Sequence, residues 1–170
     1  MPPRVCPKIA AVHEFSRLPR DLEDALSGDG FRRRRRLVVP LLTTDPRGFP
    51  RVALLTLGEV RAASPTRLAV AVMAESRSAF NLVRRKTATI LYMQRQVTAS
   101  IQARAGRGCV SGSDPARHLF PLSVERVRID RPGDAEGDVS LLTGPTFTGR
   151  DAGRLFSDEL FAELGKVAGS

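Results

Sequence analysis

Residues 71–97, AVMAESRSAFNLVRRKTATILYMQRQV, contain the change of pattern that decides the predicted fold. An alternating, β-branched segment begins at residue 67 and runs into this stretch, after which apolar residues recur at helical spacing. We therefore predict a strand over residues 67–73, a short helix that begins near residue 76, and strands over residues 87–93 and 97–104. This succession indicates a mainly β fold that is interrupted by one short helix.

The start of the predicted helix carries groups that suit an anion. Ser76 or Ser78 can cap the helix, and Arg77 lies between them. Free backbone N–H groups, hydroxyls and a guanidinium on one segment make a plausible phosphate site. The same residues also fit an ordinary capped helix with a surface arginine, and spacing alone leaves both readings open. The apolar face of the helix is predicted to contain Ala79, Phe80, Leu82 and Val83.

The remainder of the sequence predicts three more strands, two more helices and several loops. Further strands are predicted over residues 37–44, 49–57 and 118–130, and helices over residues 18–27 and 158–167. The tetrapeptide Asp45-Pro46-Arg47-Gly48 has the residue preferences of a type I turn and is expected to join the first two of these strands as a hairpin. An arm is expected over residues 1–16, and loops over residues 58–66, 106–115 and 131–150.

Three local patterns qualify these elements. Pro40 lies inside the strand predicted over residues 37–44, which argues for an edge position or a bulge because proline has no N–H. Residues 49–57 are almost continuously apolar, which suits a strand buried on both faces. Five consecutive arginines at 32–36 fit a solvated strand entrance, a nucleic-acid patch, or a reach toward a cofactor phosphate.

Length and composition indicate one folded domain over residues 1–170, since 170 residues with 42% hydrophobic content suffice for a core. The sequence contains no run of about 18 apolar residues, so no membrane span is predicted. Residues 1–7 lack the apolar region of a signal peptide. Cys6 and Cys109 are far apart, so free thiols in a reducing cytoplasm are the simpler expectation, although a disulfide between them remains open. We therefore expect a cytoplasmic protein.

The formal net charge of +9 raises nucleic acid as a possible partner. However, 24 of the 27 cationic residues are arginine, a bias that GC-rich codon usage can produce. The chain has one Tyr and no Trp, so the aromatic surfaces that stack single-stranded bases are scarce. With only two histidines, His13 and His118, a metal site is not expected. Nucleic acid is therefore possible but not favoured, and few side chains are left for chemistry without a cofactor.

Three motifs resemble the pyridoxamine 5′-phosphate oxidase-like family, the FMN-binding split β-barrels. SRSAFNLVRRKTATILY, residues 76–92, resembles the S-R-K…N…N-P-x-x-x-L-L-F stretch of that family. Residues 51–56, RVALLT, are similar to its R-x-V-L-L-K strand, and residues 95–97 match its R-Q-V. The resemblance covers about residues 31–130. It implies a barrel core over that range, an N-terminal arm and helix over residues 1–30, and a C-terminal loop and helix over residues 131–170.

The resemblance also implies where FMN binds. The phosphate is expected to lie against Ser76, Arg77 and Ser78, with Arg51 as a second partner. Main-chain groups of the strand would lie along the edge of the flavin ring, namely those of Val52, Ala53, Leu54, Leu55 and Thr56. The ribityl chain would lie beside Val72 and Met73, and Gln96 would approach the polar edge of the ring. In this family the flavin lies at a dimer interface, so a homodimer is implied as well.

Three departures from the family pattern affect the expected activity. Ser78 stands where the family motif has Lys, the connection before residue 95 is shorter, and there is no Trp. We therefore do not expect oxidation of pyridoxamine phosphate.

The fold class expected is a mainly β (α+β) protein, a six-stranded antiparallel split β-barrel with short helices at the N-terminus, middle and C-terminus. The function expected is an FMN-binding oxidoreductase that transfers hydride through the flavin to an unidentified small molecule. An F420-binding reductase on the same fold, and a cofactor-free binding or regulatory barrel, are the alternatives.

Overall fold

The computed structural model describes residues 12–27, 34, 36–95, 97–130, 141, 143–149 and 157–170. The strands in these ranges are β1 (Val12–Phe15), β2 (Val38–Thr44), β3 (Pro50–Thr56), β4 (Val60–Ser64), β5 (Arg67–Met73), β6 (Thr87–Gln94), β7 (Val97–Ala105), β8 (Cys109–Val110) and β9 (Arg117–Asp130). The helices are α1 (Arg20–Ser27), α2 (Arg77–Arg85) and α3 (Asp158–Gly169), and a 3₁₀ turn spans Leu57–Glu59. None of the described helices is long and apolar enough to cross a membrane.

All nine strands belong to one curled antiparallel sheet, in the order β3-β2-β6-β7-β9-β5-β4. The two short strands β1 and β8 lie off this path, and both pair with β9. The predicted mainly β architecture, with helices at the N-terminus, in the middle and at the C-terminus, is confirmed. The prediction of six strands was wrong, because β1, β4 and β8 were missed.

The segment between β3 and β5 is the clearest correction, since residues 58–66 were predicted to be a loop. The 3₁₀ turn and β4 occupy most of it, and Val60 and Ala62 are buried. Glu59 is buried as well, and its Oε2 accepts hydrogen bonds from the Thr56 backbone N–H at 2.7 Å and from Thr56 Oγ1 at 3.0 Å. Its other oxygen, Oε1, pairs with Arg117. The buried Glu59 therefore stabilises the 3₁₀ turn, which the polarity of this residue had suggested was an exposed loop.

The hairpin of β2 and β3 follows the predicted turn. The Gly48 N–H donates to the Asp45 carbonyl at 3.1 Å, and Asp45 Oδ1 accepts from the backbone N–H groups of Arg47 and Phe49 at 2.8 and 2.9 Å. Gly48 has a φ of 90°, which glycine adopts without steric cost. The turn therefore fixes the register of the hairpin, in which Thr43 lies opposite Arg51.

The positions of the two hairpin strands in the sheet are the reverse of the prediction, which had β2 at an edge and β3 buried. β2 lies between β3 and β6, so Pro40 is not on an edge strand. Its missing N–H is tolerated because the β2–β6 ladder covers only the three residue pairs from Leu41 to Thr43. β3 is the edge strand, and Val52 and Leu54 are 54% and 59% exposed. The prediction that β3 is buried on both faces was therefore wrong for the isolated chain.

The helices pack against the sheet at separate places. α1 buries Leu22, Ala25 and Leu26 in the main core. α3 packs on β4 and β5, and its Leu160, Leu164 and Ala168 form a second apolar cluster with residues of β5 and β9. Ser157 caps α3, since its Oγ accepts the Leu160 N–H at 3.2 Å. The sequence also suggests that Phe156 packs on Phe161, but Phe156 lies outside the described residues. α2 contacts strands of the β2–β3 side, and this contact creates the candidate site.

Candidate functional site

α2 begins at the residue that the sequence offered as a cap. Ser76 has extended backbone, and its Oγ accepts the Ala79 N–H at 3.1 Å, so Ser76 rather than Ser78 is the N-cap. Ser78 points into the protein and is 4% exposed. The helix ends where Lys86 adopts a left-handed conformation with a φ of 56° and donates its N–H to the Leu82 carbonyl. The Ser78 hydroxyl is therefore buried, while the neighbouring Arg77 is exposed.

The buried face of α2 differs from the predicted one. Ala79 and Leu82 are buried as expected, but Phe80 and Val83 are 45% and 57% exposed. Asn81 is buried in their place, and its Nδ2 donates to Thr43 Oγ1 at 3.0 Å. This hydrogen bond joins α2 to β2 and turns one side of the helix toward the β2–β3 hairpin.

A cavity of about 450 Å³ lies between α2 and the hairpin. It brings together Arg51 and Val52 of β3 with Arg77 of α2, three residues that the sequence had assigned to one site. Its other lining residues were not predicted, namely Asp45, Pro46, Pro50, Phe80 and Asn81. Asn81 could have been identified in the sequence, because a polar residue on the apolar side of a helix is unexpected.

The electrostatics of this cavity favour an anion. Within the described ranges, neither Arg51 nor Arg77 forms an ion pair with a carboxylate. Asp45 is the one acid among the lining residues, and its Oδ1 already accepts the two hydrogen bonds of the turn. Guanidinium groups bind phosphate and carboxylate through paired N–H donors. The cavity therefore presents two cations and one engaged acid to a ligand.

The remaining candidate residues are distributed along β3 and β5. Ala53 is half-buried and Leu54 is exposed, whereas Leu55 and Thr56 are buried. On β5, Val72 is buried and Met73 is 50% exposed. Gln96 lies outside the described residues. Strand by strand, the structure therefore brings Arg51, Val52 and Arg77 together, and leaves Val72 and Leu55 as core side chains.

The backbone of β3 is available along one edge. β3 pairs with β2 only, so within the described chain its outer edge has no neighbouring strand. The Thr56 amide is an exception, because Glu59 Oε2 already accepts its hydrogen. Between Val52 and Leu55, the main-chain groups that do not pair with β2 are thus the part of the predicted ring-binding edge that remains open to a ligand or a partner.

A second cavity of about 290 Å³ adjoins the first. The two cavities share Pro46, Phe80 and Asn81, and the second adds Arg84 and Arg85 from the last turn of α2. Arg85 donates from Nη2 to the Pro46 carbonyl at 2.8 Å, and the Arg84 guanidinium lies 5.6 Å from the centre of the Phe80 ring. The groove between α2 and the hairpin turn is therefore lined by cations along its length.

A separate cavity of about 330 Å³ lies beneath α1, against β6, β7 and β9. Arg34, one of the five consecutive arginines, donates from Nη1 to the Tyr92 hydroxyl at 2.9 Å there. Burial raises the pKa of Tyr92 and outweighs the opposing charge and hydrogen bond of Arg34, so the phenol stays neutral. This cavity shares no lining residue with the groove beside α2.

Redox-active and metal-binding side chains are sparse in the described part of the chain. Cys109 is an exposed free thiol on β8, whereas Cys6 lies outside the described residues. Those same residues contain no group of three or more His, Cys, Asp or Glu side chains that could hold a metal ion.

Solved structures of similar shape identify the fold. HupZ from Group A Streptococcus superposes with a TM-score of 0.53 at 11% identity, over 68% of this chain and 99% of that protein. An FMN-binding protein from Syntrophomonas wolfei gives a TM-score of 0.51 at 8% identity, over 65% and 86%. A candidate pyridoxamine 5′-phosphate oxidase from Lactobacillus delbrueckii gives 0.48 at 15% identity, over 66% and 94%. The sequence matches no protein-family model and no curated protein.

The first two superpositions show that the chain has a split-barrel fold, as the sequence resemblance implied. At such low identities the likeness concerns the fold alone. What the site binds has to be argued from this chain's own residues.

Proposed function

We propose that the protein binds FMN, with the cofactor's phosphate in the cavity between Arg51 and Arg77, and acts as an oxidoreductase on an unidentified small molecule. The observation that carries the proposal is the convergence of these two arginines, from separate elements, on one cavity with no ion-pair partner among the described residues. Two guanidiniums that face open space beside an engaged acid suit a doubly charged phosphate.

The dimensions of β3 fit the rest of the cofactor. From Arg51 to Leu55 the strand advances four residues, or about 13 Å at about 3.3 Å per residue. Over that length its outer edge is open, and the exposed side chains of Val52 and Leu54 offer apolar surface to a ring. A ligand with an anionic end and a flat apolar end can therefore follow the strand outward from the cavity.

In this proposal the cofactor supplies the chemistry and the residues of the site bind and orient it. A bound flavin supplies the hydride chemistry at its N5, which no side chain of the site can supply. Arg51 and Arg77 would bind the phosphate, and Asn81 would hold α2 in position through Thr43. The open main-chain edge of β3 would orient the ring by hydrogen bonds.

A homodimer is part of the proposal. Val52 and Leu54 lie on the same face of β3, opposite Leu42 and Pro40 of β2, and they make an exposed apolar strip on an edge strand. Such strips are normally covered, because they favour association. A second copy that covers this strip would also close the flavin ring away from water.

The spectrum of the purified protein tests the proposal. Bound FMN absorbs at about 450 nm, whereas oxidised F420 absorbs at about 420 nm, since each absorption belongs to the cofactor itself. Heat release followed by mass analysis would identify the molecule. A protein that takes up neither cofactor, but shifts duplex DNA in a salt-sensitive way, would instead support the cofactor-free barrel.

A further inference from the structure

The cavity beneath α1 has one helical wall and one sheet wall. Leu22 and Ala25 line it from the helix, and Val97, Ala99 and Ile129 line it from the sheet. The two alanines have the shortest side chains of this set, which leaves a gap between the helix and the sheet. Its volume of about 330 Å³ lies in the range of small-molecule sites, about 300–1,000 Å³. The space therefore suits a flat apolar body such as one or two fused rings.

The polar lining of this cavity is centred on Arg34. Its Nη1 donates to the Tyr92 hydroxyl at 2.9 Å, and no carboxylate of the described residues forms an ion pair with it. The guanidinium is half-buried and keeps further N–H donors, because it carries five. Tyr92 cannot balance its charge, since burial raises the pKa of the phenol and keeps it neutral. The cavity therefore contains a half-buried cation without a counterion.

Two carboxylates of α1, those of Asp21 and Asp24, also line the cavity. Both residues are exposed, and Asp24 pairs with Arg20 at 3.9 Å. Asp21 lies in the first turn of the helix, where the helix dipole stabilises a negative charge. Exposed charges are screened by water and salt more strongly than a half-buried one. Arg34 is therefore expected to determine which charge the interior accepts.

Imperfect packing beneath a short helix would also leave a cavity, and a purely apolar gap stays empty. That explanation does not account for Arg34, because a partly buried guanidinium without a counterion costs free energy. A bound anion would remove this cost. The two explanations therefore differ in whether the cavity binds an acid.

We infer that the cavity beneath α1 is a second binding site, which takes a small carboxylic acid with a flat apolar body. The carboxylate pairs with the guanidinium of Arg34 and accepts the hydrogen of the Tyr92 hydroxyl, which no described residue accepts. The apolar body lies between α1 and the sheet. This site is independent of the proposed FMN site, because the two cavities share no lining residue.

Isothermal titration of the purified protein with four probes tests the ligand class. Naphthoate, naphthylmethanol and naphthylmethylamine share one ring system and carry an anionic, a neutral and a cationic end, whereas acetate has the carboxylate without the rings. We expect naphthoate to bind at least about tenfold more tightly than naphthylmethanol, the scale of one charge-assisted contact. Acetate should bind more weakly than naphthoate, because it buries little apolar surface.

Variants assign the preference for the acid to Arg34. Arg34→Gln removes the charge and keeps a polar side chain, so it should bind naphthoate no more tightly than naphthylmethanol. Arg36→Gln is the control, because Arg36 belongs to the same run of arginines but is exposed and does not line the cavity. Ala25→Leu leaves every charge in place and fills the space, so it should weaken the binding of all three naphthyl probes. Thermal unfolding verifies that each variant is folded.

Tyr92 reports where the probe binds, because it is the only tyrosine of the chain. Isotope-labelled tyrosine therefore gives the NMR signals of a single ring, and naphthoate should shift these signals. Binding of naphthoate that leaves them unchanged would place the probe elsewhere and overturn the inference.

Several results of the titrations would also overturn the inference. If none of the three naphthyl probes binds, the cavity is a packing gap. Equal affinity for naphthoate and naphthylmethanol, or tightest binding of naphthylmethylamine, would show that Arg34 does not select an acid. A preference that persists in Arg34→Gln, or that disappears in Arg36→Gln, would show that net charge rather than this cavity attracts the probe.

Discussion

Asn81 donates a hydrogen bond to Thr43 across 38 positions of sequence, and both side chains are almost fully buried. Their bond is therefore a buried polar connection between α2 and β2. Because Thr43 lies opposite Arg51 in the hairpin, the bond fixes α2, and with it Arg77, relative to Arg51. The geometry of the candidate site therefore depends on this pair.

Replacing Asn81 should test that dependence. Asn81→Leu is expected to destabilise the protein by about 1–3 kcal/mol, because the Thr43 hydroxyl would be left buried without its partner. In the double variant Asn81→Leu/Thr43→Val both polar groups are removed, and part of that loss should return. Urea unfolding of the wild type, the single variants Asn81→Leu and Thr43→Val, and the double variant measures the coupling, and strictly additive losses would contradict it.

The phosphate partners should affect flavin affinity. Arg77→Ala is expected to weaken FMN binding by about 1.5–3 kcal/mol, since one charge-assisted hydrogen-bonding group is lost, and Arg51→Ala should act similarly. Quenching of flavin fluorescence measures the affinities. Arg20→Ala, an exposed arginine on α1, is the control and should bind like the wild type. If Arg77→Ala also binds like the wild type, Arg77 is not a phosphate partner.

The docking of α3 should depend on pH. Glu163 accepts hydrogen bonds from Ser111 Oγ and the Gly112 N–H, both at 2.7 Å, and from Ser113 Oγ at 2.9 Å. Burial raises the pKa of Glu163, but these hydrogen bonds together outweigh it and hold the pKa below its ordinary value.

The sign of the effect follows from that direction. The ionised carboxylate is favoured in the folded state, so its contribution is complete above the ordinary pKa and is lost as pH falls through the lower, folded value. Glu163→Gln should therefore cost about 1 kcal/mol at neutral pH, and the difference from wild type should vanish in acid. Unfolding curves across pH measure it, with Glu75→Gln as the exposed control. A difference that grows in acid would contradict the assignment.

Gly108 should tolerate no side chain. A Cβ at this position would lie 2.6 Å from Cε1 of Phe120, a ring that is 1% exposed and has little room to move. Gly108→Ala is therefore expected to lower the free energy of unfolding by about 1–3 kcal/mol through overpacking. At Gly112 the added Cβ would be 3.6 Å from the nearest atom, so Gly112→Ala is the control. Equal stability of the two variants would show that the Phe120 ring yields.

The exposed strip on β3 should determine oligomeric state. Val52→Asp/Leu54→Asp is expected to convert a dimer into a monomer, because two carboxylates would have to be buried without partners. Light scattering after size exclusion measures the mass. Val110→Asp, at a comparably exposed apolar position on β8, is the control and should remain dimeric. A wild type that is monomeric at micromolar concentration would contradict the homodimer.

Strong local patterns were sufficient for much of the fold. β5 has the predicted bounds, because its apolar run from residue 68 to residue 73 is uninterrupted, although the strand is buried on both faces and does not alternate. The turn at Gly48 and the cap at Ser76 follow from side-chain chemistry within a few residues. β4 was missed because Glu59 looks like a loop residue. Its burial depends on Arg117, which no local pattern connects to it.

The candidate site was only partly predictable for the same reason. Arg51 and Arg77 were found through motifs, whereas Phe80 was assigned to the wrong face of its helix. The apolar residues of α2 span a face wider than the side that packs on the sheet, so spacing alone did not separate Phe80 and Val83 from Ala79 and Leu82. The buried side also contains Asn81, whose bond to Thr43 exists only once the hairpin and helix have packed together.

The long strand β9 has a consequence for how the chain is made. It pairs with β1, β5, β7 and β8, so these four strands cannot complete their pairing before the segment Arg117–Asp130 has been synthesised. Until then a nascent chain presents several open strand edges in a crowded ribosomal exit environment, where such edges associate readily. Cells that produce this protein should therefore depend on chaperones during the last third of its translation, and fragments that stop short of β9 should aggregate.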